Sequence, residues 1–592
     1  MNSLFGNWAS TLRKNSLLLV LSMVLPTFGI SNSVSAAERI YASYSALELS
    51  ISVTALESYA KTGVIDDDLA AYQQYLPVEK LQELRRILLN RVKVTPAVVS
   101  QLLYTSQGEF LLHRLAQVIK TKSPQPESEF GALRSALISA SAESGGLTLL
   151  NVLRKYPSSS IHLDVAQTLG IATELDKLVN QTQRAIAVVS QKSKIEAASI
   201  QQPNLSQLPN LQIAGKFKSQ KYTLRFFDLR RNRLLLTDVY IPKIQTPAPV
   251  IVISHGLGLD STNFQYLATH LASYGFVVAV PNHPGSDTKK LGSMLNKHAN
   301  ELAQPSEFQD RPLDITYILN QLAKANQSDS RFKNRLNVQN VGVFGQSLGG
   351  YTALALAGAK INFEQLKQDC QLARLEKTWN MSLLLQCRAL ELSINNPGKN
   401  YNLRDERVKA AIAVNPITSS IFGQAGLNQI KTPVMIVSSS DDTVAPALYE
   451  QILPFSWLTN PQKYLVMLVG GTHFSTIGNA NSGNQQVSLP AEMIGDASQA
   501  RSYMNVLSLP FFQTYVAGKP QYIRYLNATH TQSISSQSLG LSLVKSLNTT
   551  ELTQVLDIQA GKALKKVPNT ILSFGFWMLD IGVSLLNVMI FM

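Results

Sequence analysis

The chain has 592 residues, of which 45% are hydrophobic, 8% aromatic and 16% charged; it is too long for one ordinary domain and too apolar for a disordered one. Long apolar runs are confined to the two ends, which excludes a polytopic membrane protein. The net charge of +14 is scattered in pieces such as Arg85-Arg86, Arg230-Arg231 and Lys565-Lys566, so it argues for weak attraction to an anionic membrane surface and against a nucleic-acid partner, which needs charge concentrated on one face.

In chain order, residues 1–37 read as an export signal. Arg13 and Lys14 precede an apolar run from Leu17 to Phe28, and Ser35-Ala36-Ala37 is a small-x-small cleavage pattern. An uncleaved signal anchor is the other reading; either one places the body of the chain outside the cytosol, in the periplasm, secreted or at a membrane. Residues 38–200 carry mainly helical signals. Thr54 with Glu57 spells a capping box and Gly63 a stop. Pro77 and Pro96 fit the first turns of helices over Val78–Val92 and Ala97–Tyr104. Further helices are expected at Glu109–Lys120, Phe130–Ala142, Leu147–Tyr156 and Glu174–Ser193. With only His113 and His162, no cysteine and no Gly-rich loop, this region is expected to serve interaction or substrate gating.

Residues 201–221 read as a linker, opening with two prolines among Asn, Gln and Ser. Over 222–526 the pattern changes. A hairpin, Tyr222–Phe227 with Leu234–Ile241, leads into short apolar strands at Val250–Ile253, Val277–Val280, Val341–Phe344, Val408–Val414, Val434–Val437 and Tyr464–Val469. Continuous apolar strands separated by helices imply a mostly parallel sheet covered on both faces, whose active groups sit beyond the strand C-termini. An insert at 359–406 holds both cysteines and is either a lid over an acyl pocket, with the apolar stretch Met381–Leu385, or a helix pair on the domain edge. Cys370 and Cys387 are either bridged, worth about 3 kcal/mol, or two buried thiols. In the tail 527–592, the run 571–592 is long enough to span a bilayer. Yet Ser573, Asp580, Ser584 and Asn587 share one helix side, so a packing or interfacial helix comes first and a membrane anchor second.

The chemistry begins directly after the strand Val341–Phe344, at Gly345-Gln346-Ser347-Leu348-Gly349-Gly350, ahead of the helix former Tyr351–Ala359. This is G-x-S-x-G in the strand–turn–helix setting that it requires, with Gly345 and Gly349 clearing a turn too sharp for a Cβ. A serine hydroxyl needs a base, and the base an orienting carboxylate, in the order Ser, acid, His for this topology. The strand Val434–Val437 runs into Ser438-Ser439-Ser440-Asp441-Asp442-Thr443-Val444-Ala445-Pro446, and Tyr464–Val469 into Gly470-Gly471-Thr472-His473-Phe474. His473 is the candidate base, since the other late histidine, His530, follows no strand. Asp442 is preferred to Asp441, which suits a loop cap. Two backbone N–H groups must hold an oxyanion: Leu348, after the nucleophile, and Leu257 in Ser254-His255-Gly256-Leu257-Gly258. His255 reads as a loop-shaping residue and His283 as a site-wall or turn residue. No metal-ligand or phosphate-loop pattern occurs, so neither metal nor cofactor is expected.

Together, His255-Gly256, the GQSLGG turn, SDDTVAP and GGTHF resemble an α/β-hydrolase over about Tyr222–Leu526. The spacing, with Arg311-Pro312-Leu313-Asp314, is similar to the branch of platelet-activating-factor acetylhydrolases and predicted dienelactone hydrolases, and Ala37–Ile161 resembles the helical domain of unknown function that precedes such hydrolases in cyanobacteria. Dienelactone hydrolases proper carry a cysteine where this chain has Ser347, and many esterases carry a histidine at Gln346. The resemblance implies an α/β-hydrolase core behind a mainly α-helical N-terminal domain, and cleavage of lipid-like or short-acyl carboxylic esters. An amidase or peptidase, or a non-catalytic envelope binding protein on a vestigial core, are the alternatives.

Overall fold

The computed structural model describes residues 36–552, apart from 45–46, 74–77, 92–95, 105, 122–125, 200–208, 296–302, 376, 479–494 and 549. The export-signal run, the first part of the expected linker and the apolar run 571–592 lie outside the described residues.

The N-terminal region is helical as expected, but it is built around a small sheet that the reading above lacks. Strands β1 (Arg39–Tyr44), β2 (Leu47–Ser52), β3 (Ile119–Lys120) and β4 (Ser160–Asp164) lie in the order β2-β1-β4-β3, with β1 parallel to β4. The helix Val53–Thr62 is capped by Ser52, whose hydroxyl accepts the Ala55 N–H at 3.1 Å, in place of the expected Thr54 box, while Glu57 pairs with Lys61. Gly63 does end it, in the left-handed region at φ 79°. The expected last helix is far longer, Val165–Ser199. Gly170 interrupts its pattern but faces open space, so nothing forces a break. Its far half buries Ala185, Ile186 and Val189 in the core of the second sheet, and Ser193 Oγ accepts the Leu543 N–H at 3.1 Å. One helix therefore ties both halves together.

The second sheet has nine strands: β5 (Ser219–Asp228), β6 (Arg233–Pro242), β7 (Ala248–Ser254), β8 (Val277–Pro281), β9 (Leu336–Gln346), β10 (Val408–Val414), β11 (Val434–Ser439), β12 (Lys463–Val469) and β13 (Gly540–Val544). Their order is β13-β12-β11-β10-β9-β7-β8-β6-β5. The stretch from β12 to β8 is parallel, β13 and β6 run antiparallel to it, and β5 pairs antiparallel with β6. β7 to β12 are apolar on both faces because helices cover both, and two separate core clusters fill those spaces. The sheet outruns the boundary expected at Leu526: a short antiparallel pair with β12 carries β13 into the expected tail. From β7 the chain steps to β8 on one side, whereas from β9 it steps to β10 on the other. That reversal opens a crevice beyond the C-terminal ends of β7 and β9, where open α/β sheets place their ligands.

The insert folds as short helices, Phe363–Asp369, Leu372–Leu375, Met381–Cys387 and Leu390–Asn395, bridged by Cys370–Cys387 with Cα atoms 5.6 Å apart. It is pinned on two sides. Trp379 and Met381 join the N-terminal core, and the Arg114 guanidinium lies 4.6 Å over the Trp379 ring. On the other side, the buried Glu450 carboxylate accepts Asn380 Nδ2 and Gln386 Nε2 of the insert together with the Thr418 and Ser419 N–H groups after β10.

Candidate active site

Ser347 stands between the end of β9 and the helix Leu348–Leu356, with φ 57° and ψ −119°. Such a backbone costs a non-glycine residue about 1–3 kcal/mol, and the surroundings hold it there: its N–H donates to Val414 O at 2.8 Å, and its carbonyl accepts the Tyr351 N–H at 3.1 Å. A Cβ on Gly345 would overlap Gly349 O, and one on Gly349 would overlap Ser254 O. Both glycines are thus required by close approach.

The two other candidates, from loops distant in sequence, meet this hydroxyl. His473 Nε2 lies 3.0 Å from Ser347 Oγ, and His473 Nδ1 lies 2.7 Å from Asp442 Oδ2. Asp442 Oδ1 accepts the N–H groups of Val444 at 2.9 Å and Ala445 at 2.7 Å, which fixes the plane of the carboxylate. Asp441 points elsewhere; its carboxylate accepts the Ser440 hydroxyl, and its N–H donates to Gly471 O, stitching the acid loop to the histidine loop. All three groups are buried. A hydroxyl joined to an imidazole whose far nitrogen faces a carboxylate can surrender its proton as it attacks. His530 lies apart, in the helix Ala528–Ile534 against Tyr525.

Residues that sequence reasoning passed over hold the imidazole loop. Asn415, in the left-handed region at φ 44°, donates from Nδ2 to Ser439 Oγ at 3.1 Å and to His473 O at 3.3 Å, and Gln346 Nε2 donates to His473 O at 3.1 Å. Gln346, which the sequence marks only as the neighbour of the nucleophile, ends β9, and Asn415 directly follows β10, at the strand C-termini where such sheets place active groups.

The expected oxyanion donors flank the serine. Leu348 opens its helix, so its N–H has no acceptor within that helix. Leu257 lies in a turn from Gly256 to Leu259, with Gly258 at φ 70°, and among the described residues its N–H has no backbone acceptor. The Gln346 side chain packs so close to Gly256 that a Cβ there would overlap it, which brings this turn against the serine elbow.

Behind the turn lies a buried polar network. Arg311, wholly buried, donates to His255 O at 2.6 Å, Gly256 O at 3.3 Å and Ser286 Oγ at 2.8 Å. The Ser286 hydroxyl donates to Glu307, which also accepts from Arg233 at 2.8 Å; Asp314 accepts from Arg231 and Arg233. Burial brings the Arg311 guanidinium down to about 10, still charged at neutral pH. Burial, reinforced by Arg311, holds both His255 and His283 far below the ordinary histidine range, so both rings are neutral. Pro312 cannot bond to the carbonyl one turn back, and that carbonyl, Phe308 O, accepts the Tyr351 hydroxyl at 2.6 Å. The network helix Glu307–Ser328 is thereby tied to the helix that follows Ser347.

A groove of about 580 Å³ opens between the long helix, the insert and the loops after β10 and β11, lined among others by Leu178, Trp379, Leu383, Tyr449 and Trp457. None of Ser347, Asp442 and His473 is among its lining residues. No helix among the described residues is long and apolar enough to cross a membrane.

Comparison with known families agrees with this architecture. Residues 36–164 match a family described as "Alpha/beta hydrolase of unknown function (DUF1400)", and residues 249–365, from β7 past the serine elbow, match the alpha/beta hydrolase fold. No curated protein is similar enough in sequence to match. The core is an α/β-hydrolase fold behind a mainly helical N-terminal region, and the family matches support a hydrolase.

Proposed function

We propose that the protein is an exported serine hydrolase that cleaves carboxylic esters with a lipid-like or short acyl group. The observation that carries this reading is the pair of hydrogen bonds through His473, 3.0 Å to Ser347 Oγ and 2.7 Å to Asp442 Oδ2. Ser347 attacks the ester carbonyl while His473 takes its proton and Asp442 holds the ring and offsets the imidazolium charge. The N–H groups of Leu348 and Leu257 receive the oxyanion. His473 then protonates the leaving alcohol, and a water molecule repeats the sequence on the acyl-enzyme.

Within α/β-hydrolases we place the chain in the branch of platelet-activating-factor acetylhydrolases and predicted dienelactone hydrolases, with Ser347 favouring ester chemistry. The Cys370–Cys387 bridge is compatible with an oxidising compartment, and the charge of +14 suits loose association with an anionic membrane. The region 38–200 would then serve interaction or substrate gating. Replacement Ser347→Ala is expected to abolish both turnover of p-nitrophenyl esters and labelling by a fluorophosphonate while the protein stays folded. Retained turnover rejects the reading, and a series of graded acyl lengths identifies the substrate class.

A further inference from the structure

The Gly256–Leu257 peptide is trans, so its C=O and N–H point in opposite directions. Whatever fixes the Gly256 carbonyl therefore aims the Leu257 N–H. Two donors fix it from one side: His255 Nδ1 at 2.7 Å and Arg311 Nη2 at 3.3 Å. Neither donor is free to turn away. Arg311 is held by Ser286 Oγ and His255 O as well. His255 Nε2 accepts the His283 N–H at 3.0 Å, so the ring is neutral with its proton on Nδ1, from which it donates. His283 is locked in turn, with Nδ1 facing Asp314 Oδ2 at 3.0 Å and Nε2 facing Ser254 Oγ at 3.0 Å.

We propose that Arg311 and His255 are positioning residues that clamp the Gly256 carbonyl and so preset the Leu257 N–H as an oxyanion donor before substrate binds. The proposal rests on the serine-hydrolase reading. It assigns the buried charges a task that packing alone does not require: a peptide free to rotate would present a carbonyl where the developing negative charge needs a donor. Losing one such donor costs about 10²–10³-fold in kcat.

The test compares His255→Leu, His255→Asn and Arg311→Lys in the full chain. kcat is measured per active site, counted by fluorophosphonate labelling run to completion. Both His255 variants leave the His283 N–H without its acceptor, but the Asn Nδ2–H can replace the Nδ1–H toward Gly256 O. Expected for His255→Leu is a kcat loss of about 10²-fold, with KM for p-nitrophenyl butyrate nearly unchanged. Affinity for an alkyl trifluoromethyl ketone, which forms the tetrahedral adduct, should fall in step with kcat. His255→Asn should recover at least about tenfold of that loss at an equal melting temperature, and Arg311→Lys, which keeps the charge but loses the fork, should follow His255→Leu. Undiminished kcat in His255→Leu, or equal kcat in the two His255 variants, overturns the clamp. Turnover retained by Ser347→Ala would instead overturn the hydrolase reading, whatever the clamp variants do.

Discussion

Replacing Asp442 by asparagine offers a sharp test because the structure dictates how the new amide must sit. In the native chain Oδ1 accepts two backbone N–H groups, from Val444 and Ala445, while Oδ2 faces His473 Nδ1 at 2.7 Å. An asparagine keeps its oxygen toward the two N–H donors, so its NH₂ is turned on His473. Nδ1 must then become an acceptor, the ring proton moves to Nε2, and Nε2 can no longer take a proton from Ser347 Oγ. A wrong tautomer of this kind lowers kcat by about 10⁴-fold, or about 5.5 kcal/mol of transition-state stabilisation. The assay is kcat on a p-nitrophenyl ester, with circular dichroism to establish that Asp442→Asn is folded. Asp441→Asn is the control: its exposed carboxylate touches only the Ser440 hydroxyl, so activity should stay within about twofold. A loss below about tenfold in Asp442→Asn, or an equal loss in both variants, refutes the assignment of the acid.

Three further outcomes can be checked. Serine at both Cys370 and Cys387 removes a cross-link over a separation of 17 positions and should lower unfolding free energy by about 3 kcal/mol; an unchanged urea midpoint would contradict it. Gly349→Ala drives a Cβ into Ser254 O, so turnover and melting temperature should fall together, whereas Gly398→Ala, with open space around it but φ 76°, should cost stability alone. Stability should also decline in acid: His255 and His283 are held far below the ordinary range, and His270 and His530 are brought down to about 4 by burial. These folded values are depressed, so the unfolded chain binds more protons below pH ~6.5; His270 and His530 each cost about 2 kcal/mol by pH 5 and nothing above pH 7.5, and His255 and His283 act in the same direction. A urea midpoint equal at pH 7 and pH 5 would refute this.

The strands around the site were legible because each is buried on both faces and so spells a short apolar run, and Ser347, Asp442 and His473 were legible because they directly follow such runs. The strands of the N-terminal sheet were not. β1 and β2 do alternate, with Ile40 and Ala42 in one and Leu49 and Ile51 in the other, but the parallel partner β4 lies beyond seven helices, and a pairing of that range leaves no local trace. The long helix begins nine residues before its expected start at Glu174 and runs six beyond Ser193, over Val165–Ser199. The insert's apolar stretch read as a lid over an acyl pocket or as a helix pair on the domain edge; Met381 and Leu384 pack on the N-terminal core, Leu385 on the core of the second sheet, and only Leu383 lines a groove.

His255, His283 and the run Arg311–Asp314 stood out singly in the sequence, but their joining into one buried network did not. Arg231 and Arg233 come from the hairpin turn, Glu307, Arg311 and Asp314 from successive turns of one helix, and His255, His283 and Ser286 from loops after β7 and β8; no spacing in the chain relates the three groups to one another. Nor does stability explain them, because the desolvation of buried ion pairs roughly cancels their attraction, and well-packed apolar residues of the same volume would serve the fold as well. What apolar side chains cannot do is hold two successive carbonyls, His255 O and Gly256 O, toward one side of a turn. The network's cost is therefore best matched to its directionality. Its charges converge on the carbonyl whose peptide N–H belongs to Leu257, and Pro312 frees Phe308 O to anchor Tyr351 on the helix behind Ser347. One helix thus sets the relative placement of the turn that would receive the oxyanion and the elbow that would generate it.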